Sequence, residues 1–184
     1  MSQFFLELFS EEIPVGLQIN LRDKILVEFQ NFFSKNSIYS KKNFSLSSPN
    51  RLVVVFEGLN KQIQIKSEEL KGPNTISPDQ AIEGFMRSNQ IERKDLYKKK
   101  TEKGEFYFFK TKSKTLKTHD LLTEFIPKIL NNYQWKKSMK WGDFDLYWGR
   151  PLKSILSIFD KNIINFKFHH LVSSNSTFVD KDFE

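Results

Sequence analysis

The sequence predicts an α+β fold in which mixed, largely antiparallel sheets are packed with amphipathic helices. The first observation is a succession of strand, helix, strand and strand up to residue 65, which suggests a sheet with the first helix covering one face. The second is a pair of later apolar stripes at helical spacing, after Ser77 and after Asp120. The third is a return to alternating apolar residues after Asp145, which is typical of further strands.

Composition limits the class of protein. With 184 residues, of which 39% are hydrophobic, the chain can bury one sizeable core or two small cores that share an interface. It has no cysteine, which excludes disulfides and cysteine-ligated zinc. No apolar run reaches the roughly 18 residues of a membrane span, and the first residues lack the pattern of a secretory leader. We therefore expect a cytoplasmic protein without a membrane partner.

The first elements follow from two different spacings. Side chains alternate over residues 4–9, which predicts a strand, and Pro14 fits an early helical position, where its missing N–H costs little. Residues 44–47 and 52–56 are predicted strands on either side of a turn, and 61–65 should pair with the second of them, a central strand. An amphipathic helix should run from Pro14 to about Lys35, because apolar residues recur at helical spacing: Leu17, Leu21, Ile25, Phe29 and Phe32.

The middle of the chain begins with a helix start. Ser77 is the expected cap, Pro78 occupies the first position and Gln80 completes a capping box. A brief helix over residues 92–96 and a hairpin around Lys103-Gly104 should follow. The helix after Ser77 should bury one stripe: Ile82, Phe85 and Met86.

The last third is predicted as one helix followed by strands. Residues 120–133 have a helical stripe, with a kink expected at Pro127. The strands are expected at 145–147, 155–159 and 163–170. We treat residues 1–184 as one α+β region, with a subdivision near 111–117, where polar residues replace apolar ones.

The charge leaves two interpretations open. A net charge of +7 suits an acidic partner such as RNA, but the abundance of Lys, Asn, Ile and Phe also fits a compositional bias of the genome. Aromatic residues flank the lysine clusters, so these lysines are either RNA contacts or a solvated edge that resists strand addition. The candidate RNA contacts are Lys98, Lys99, Lys100, Lys136, Lys137 and Lys140.

No constellation predicts catalysis or a metal site. Glu11 and Glu12 are neighbours in sequence and should point apart, so they fit interaction with the positive end of the following helix better than an acid–base pair. His169 and His170 should lie on opposite faces of a strand, which does not suit a shared metal. Arg150 is predicted to bridge strand ends and carbonyls or to stack on a tryptophan.

Seven short segments occur in an order that resembles the N-terminal part of the beta subunit of bacterial heterotetrameric glycyl-tRNA synthetase. Each segment alone is weak, but together they cover nearly the whole chain. They are Glu11-Glu12-Ile13-Pro14, Pro49-Asn50-Arg51-Leu52, Lys71-Gly72-Pro73, Gly84-Phe85-Met86-Arg87, Lys103-Gly104-Glu105, Lys137-Ser138-Met139-Lys140-Trp141-Gly142 and Trp148-Gly149-Arg150-Pro151.

The chain departs from the family pattern at three places. Asn50 replaces an arginine, and Lys153 stands where the family often has an aromatic residue or histidine. A Gly-His-Arg motif expected shortly after Thr177 is absent. The family continues through further domains, so we expect an N-terminal fragment or a truncated product.

The resemblance implies a non-catalytic segment of glycine–tRNA ligase that supports tRNA binding and alpha–beta assembly. The implied partners are the alpha subunit and tRNA(Gly) in a heterotetramer, without DNA, and the holoenzyme rather than this chain would use ATP and Mg²⁺. The residues expected to shape the fold, rather than react, are Glu11, Glu12, Pro14, Arg51, Gly72, Pro73, Trp141, Gly142, Arg150 and Pro151. The alternative is an autonomous basic module that binds RNA or protein without enzymatic activity.

Overall fold

The computed structural model describes residues 2–178 and confirms the α+β fold class. These residues form two compact units: one holds the chain up to Ile63 and from Leu116 onward, and the other holds Gln64–Thr115. The helices are α1 (Val15–Lys35), α2 (Asp79–Asn89) and α3 (Thr118–Asn132), with a 3₁₀ turn at Arg93–Asp95. The strands are β1 (Ser2–Ser10), β2 (Lys42–Ser48), β3 (Arg51–Leu59), β4 (Gln62–Ile65), β5 (Glu69–Asn74), β6 (Leu96–Thr101), β7 (Gly104–Lys110), β8 (Lys114–Lys117), β9 (Met139–Lys140), β10 (Tyr147–Trp148), β11 (Leu152–Phe159), β12 (Asn162–Ile163), β13 (Lys167–Phe168) and β14 (Leu171–Val172).

The main sheet of the first unit has the order β12-β11-β1-β3-β2 within the described residues, and every neighbouring pair is antiparallel. The first strand of the chain is therefore its middle strand. Leu6 of β1 lies opposite Ser157 of β11 on one side and Val54 of β3 on the other. The dense apolar composition of β1 fits this position, because residues 6–10 are buried on both faces of the sheet.

The core of this unit lies between the main sheet and two helices. Phe4 of β1 packs against Phe29 of α1, with ring centroids 5.1 Å apart, and Phe32 of α1 stacks on Phe125 of α3 at 3.7 Å. Phe4 and Phe29 are fully buried. Burial of a side chain of this size stabilises the fold by about 1.5–3 kcal/mol, so these aromatic contacts hold α1 and α3 on the sheet.

Helix α1 confirms the predicted amphipathic helix and its end at Lys35. Pro14 lies just before the first helical residue, with φ of −54° and ψ of 136°, rather than inside the helix. Within residues 2–178, no side chain caps this helix start, and its first turn contains no acidic residue. The backbone N–H groups at the start of α1 therefore face their surroundings without a side-chain partner.

The second unit is a three-stranded sheet of order β5-β7-β6 that packs with α2. The hairpin β6–β7 and the brief helical turn are confirmed. The capping box at Ser77 is wrong: α2 starts at Asp79 after Pro78, so Ser77 lies one position too early to cap it. A capping box forms instead between Glu92 and Asp95. In the predicted stripe, only Ile82 is buried.

Two strand predictions are wrong. Residues 61–65 were expected to pair with β3, but both edges of β3 are occupied by β1 and β2, and β4 pairs with β8 instead. The predicted strand 163–170 is broken, because Ser173 holds the backbone between its pieces: its hydroxyl donates to the Ile164 carbonyl (2.7 Å) and accepts from the Phe166 N–H (2.9 Å). No helix within residues 2–178 is long and apolar enough to cross a membrane.

Candidate functional site

Three loops meet at one end of the main sheet. The Ser10 N–H donates to the Asn50 carbonyl (2.9 Å), the Ile13 N–H donates to the Pro49 carbonyl (2.8 Å), and the Glu11 N–H donates to the Pro151 carbonyl (2.9 Å). These bonds join the end of β1, the β2–β3 turn and the start of β11. We call this region the motif end, made of residues 11–14, 49–51, 141–142 and 150–151.

Arg51 joins the motif end to the segment after β14. Its Nη1 lies 2.9 Å from Glu7 Oε1 and 2.8 Å from Thr177 Oγ1. Its guanidinium lies 4.6 Å from the ring centroid of Phe9, and its Nη2 donates to the Phe178 carbonyl. Glu7 is only 7% exposed, and a buried carboxylate requires a partner of opposite charge. Arg51 thus connects the start of β3 to β1 and to the segment after β14.

Glu11 and Glu12 differ in their surroundings. Glu11 is half-buried, and Lys153 Nζ lies 2.6 Å from its Oε1. Glu12 is exposed. Lys153 is one of the residues that depart from the family pattern. Its ion-pair partner, Glu11, belongs to a segment that matches the pattern. Because both side chains of the Glu11–Lys153 pair are more than a third exposed, the ion pair contributes about 1 kcal/mol or less.

A concave pocket of about 430 Å³ opens at the motif end. We call it the aromatic pocket. Phe144 stacks on His170 at 3.7 Å, and the Trp148 indole is 2% exposed. Within residues 2–178, the Nε1–H of Trp148 has no acceptor. The pocket is lined by Phe9, Trp141, Gly142, Phe144, Leu146, Trp148, Pro151, Leu152, Lys153, His170, Leu171 and Phe178.

Packed indoles support the inner wall of the aromatic pocket. Trp148 meets Trp135 edge to face at 5.0 Å, and Trp135 meets Tyr133 in the same way at 5.0 Å. A Cβ atom at Gly149 would lie 2.3 Å from the Trp135 ring, so only glycine fits there. In the sequence, Gly149 is distinguished only as part of a motif, Trp148-Gly149-Arg150-Pro151. The position of this glycine between a tryptophan and an arginine suggested a constrained site. The sequence could not show that Trp135 packs against Gly149, because the two residues are far apart along the chain.

A second concavity, of about 500 Å³, lies at the start of α1. We call it the basic groove; it is lined by Pro14, Gly16, Leu17, Asn20, Lys136, Lys137 and Arg150. Within the described residues, no carboxylate pairs with Lys136, Lys137 or Arg150. Arg150 instead donates to the neighbouring Gly149 carbonyl at 2.8 Å. Three cationic side chains and an uncapped helix start thus share one groove.

The remaining candidate RNA contacts divide into two groups. Lys140 pairs with Asp145 at 3.1 Å in the first unit. Lys98, Lys99 and Lys100 lie on β6 of the second unit. The ammonium group of Lys99 lies 2.6 Å from Glu69. Lys98 Nζ lies 5.8 Å from the ring centroid of Tyr107.

Glu69 also binds a tyrosine in the second unit. The Tyr97 hydroxyl donates to Glu69 Oε1 at 2.5 Å, and Lys99 donates to Oε2 at 2.6 Å. The Lys99 and Tyr97 hydrogen bonds lower the pKa of Glu69, and the bond to Glu69 raises the pKa of Tyr97. Gly72 and Pro73, which were predicted to shape the fold, also lie in this unit, on β5. A Cβ atom at Gly72 would lie 2.9 Å from the Phe85 ring, so the glycine allows this ring to pack close to the strand.

The histidines occupy places other than those predicted. His169 and His170 form the turn between β13 and β14 rather than opposite faces of a strand, and both are exposed. His169 Nε2 lies 3.1 Å from Asn131 Oδ1, whereas His170 stacks on Phe144. Among residues 2–178, no group of three or more His, Cys, Asp or Glu side chains is placed to hold a metal ion.

Comparison with known proteins gives one consistent result. The family model described as Glycyl-tRNA synthetase beta subunit matches residues 4–184. Similar proteins include the glycine–tRNA ligase beta subunits of Rickettsia conorii and Rickettsia prowazekii, each 38% identical over 178 residues, and that of Rickettsia bellii, 37% identical over 178 residues. Each match covers 97% of this chain and 27% of the relative. The chain belongs to the glycyl-tRNA synthetase beta subunit family, and it spans about a quarter of the length of these relatives.

Proposed function

We propose that this chain is the N-terminal part of the beta subunit of a glycine–tRNA ligase and that its basic groove contacts the phosphates of tRNA(Gly). The observation that carries the proposal is the convergence of Lys136, Lys137 and Arg150 on the uncapped start of α1. No carboxylate among residues 2–178 neutralises these three side chains. A phosphate would supply the missing negative charge.

The chemistry of the groove suits a phosphodiester. The guanidinium of Arg150 can bind two phosphate oxygens at once, and two lysines add charge without a fixed direction. The N–H groups at a helix start favour an anion as well. The net charge of +7 adds long-range attraction to a nucleic acid.

Membership in the beta subunit family supports different functions for the two subunits. We assign ATP- and Mg²⁺-dependent glycine activation to the alpha subunit, and tRNA contact and support of alpha–beta assembly to this chain. The enzyme would be a heterotetramer in the cytoplasm. Arg51, Glu11 and Lys153 keep their structural functions in this assignment, because their charges are already paired within the chain.

The test is made on a beta subunit that contains this chain, assembled with its alpha subunit. The variant replaces Lys136, Lys137 and Arg150 with glutamine. Affinity for tRNA(Gly) should fall, and the slope of log affinity against log salt should become shallower by about 2–3, since each of the three lost phosphate contacts removes about 0.7–0.9 from the slope.

The matched control replaces three exposed lysines outside the groove, Lys66, Lys112 and Lys114, and removes the same charge. This control should retain most of the slope. An equal change in both variants would mean that net charge, rather than the groove, attracts the tRNA, and would contradict the proposal.

A further inference from the structure

We infer that the aromatic pocket receives one unpaired nucleobase of the RNA whose phosphates lie in the basic groove. The inference rests on the proposed tRNA contact and makes it more specific: the motif end would bind a single-stranded nucleotide rather than a double helix. In RNA, unpaired bases are the ones free to leave the stack and enter a protein pocket.

The pocket has the size and the walls for a planar ring. Its volume of about 430 Å³ lies within the range of about 300–1,000 Å³ that is typical of small-molecule sites. Trp141 is 39% exposed and Phe144 is 49% exposed, so flat aromatic surfaces remain open to solvent. Such surfaces stack on any base, because every base has a π-face.

The polar groups of the pocket favour a base over an apolar protein side chain. Two side chains that carry N–H groups, Lys153 and His170, lie in the wall of the pocket beside its aromatic rings. A base offers ring nitrogens and carbonyl oxygens as acceptors, whereas the side chain of leucine or phenylalanine offers none. The ammonium group of Lys153 pairs with Glu11 through one of its three N–H groups, and the other two can donate to a base.

The pocket and the basic groove are built from adjacent residues. Arg150 lines the groove and the next residue, Pro151, lines the pocket. Likewise, Lys137 lines the groove and Trp141 lines the pocket, with one short segment between them. Adjacent cationic and aromatic surfaces are the arrangement by which proteins bind single strands, with phosphates on charge and bases on rings.

The experiment measures the affinity of the assembled enzyme for tRNA(Gly) transcripts in which one unpaired nucleotide at a time lacks its base. With the unchanged enzyme, removal of one particular base should weaken binding by about 5- to 100-fold. The variant Trp141→Ala should lose a similar factor with the intact transcript, and should lose nothing further when that base is missing. Phe144→Leu, which keeps an apolar side chain, repeats the test. The control is Tyr39→Ala, an aromatic residue that is 72% exposed outside the pocket and should leave binding unchanged.

Other outcomes separate the two proposals. If the losses from Trp141→Ala and from the missing base simply add, the base does not lie in the pocket and the inference is overturned. If Trp141→Ala leaves tRNA affinity unchanged but weakens association with the alpha subunit, the pocket holds a protein side chain, which also overturns the inference. In either case, a shallower salt slope in the basic-groove variant would leave the phosphate contact standing, and failure of that slope to change would instead remove the proposed function.

Discussion

At Gly149, the absence of a Cβ atom determines how the residues of the motif end pack. Gly149 lies between Trp148, which lines the aromatic pocket, and Arg150, which lines the basic groove. Because it has no side chain, the ring of Trp135 can lie against its backbone. Trp135 in turn packs on Trp148. A change at this position should therefore alter both concavities without removing any of their lining residues.

We predict that Gly149→Ala destabilises the chain by about 1–3 kcal/mol, the usual cost of overpacking, because the new methyl group meets the Trp135 ring. Urea unfolding followed by tryptophan fluorescence measures the loss. The matched control is Gly16→Ala: a Cβ there meets nothing within 4 Å, and the position is inside α1 of the same unit. It should stabilise the chain by up to about 1 kcal/mol. Equal effects at both sites would contradict the prediction.

At the scale of the element, a carboxylate of one edge strand reaches the other edge strand of the second unit. Glu69 lies on β5, and its partners Tyr97 and Lys99 lie on β6, with β7 between them. The lowered pKa of Glu69 and the raised pKa of Tyr97 are consequences of this bridge. Because both side chains are at the surface, the main effect of this bridge is on the pKa values of Glu69 and Tyr97 rather than on stability.

We predict that Tyr97 titrates above the ordinary tyrosine value of 10.0. In Glu69→Gln its pKa should move back toward that value, because the phenol loses a charged acceptor. Absorbance at alkaline pH, or NMR of labelled tyrosine, measures this, with Tyr97→Phe to identify the Tyr97 signal. The pKa of Glu69 shifts in the opposite direction, downward. The contacts that lower it stabilise the folded chain fully at a pH above the pKa of Glu69 in the unfolded chain, and this stabilisation is lost as the pH falls through the pKa of Glu69 in the folded chain. An unmoved Tyr97 signal in the glutamine variant would show that the bridge does not form.

Helices and hairpins that depend on the spacing of nearby residues were predictable from the sequence. The distant strands and helices against which they pack were not. The stripe from Leu17 to Phe32 predicts α1, and the Lys103-Gly104 turn predicts the β6–β7 hairpin. Alternation in residues 61–65 predicts a strand but cannot show that both edges of β3 are occupied. For the site, charge and motif order identify Lys136 and Arg150 individually. Their meeting at the start of α1 depends on tertiary structure that no local pattern contains.

For the whole molecule, the chain leaves the first unit after Ile63 and returns at Leu116. The core of the first unit, including Phe4, Phe29, Phe56 and Ile126, comes entirely from residues outside 64–115. The second unit is therefore an insertion in the sense of chain topology. Insertions at such crossings are tolerated when the host core is complete without them.

We predict that replacement of residues 64–115 by a short Gly-Ser linker leaves the first unit folded. Near-ultraviolet circular dichroism should retain the signal of Trp135 and Trp148, and urea unfolding should remain cooperative. A control deletion that removes α3 instead should abolish both, because Leu122 and Ile126 of α3 are fully buried in the same core. Loss of the tryptophan signal in the first variant would show that the two units fold only together.

The position of β1 also constrains how the protein is made. The ribosome releases this phenylalanine-rich strand long before β11, so one of the two edges of β1 stays open until β11 has been translated. Pairing between segments that are distant in sequence is slow, and until it is complete the chain exposes hydrophobic surface that can aggregate. During synthesis the nascent chain therefore carries an unprotected β edge, and its yield in cells should depend on chaperones that bind such segments until β11 can pair with β1.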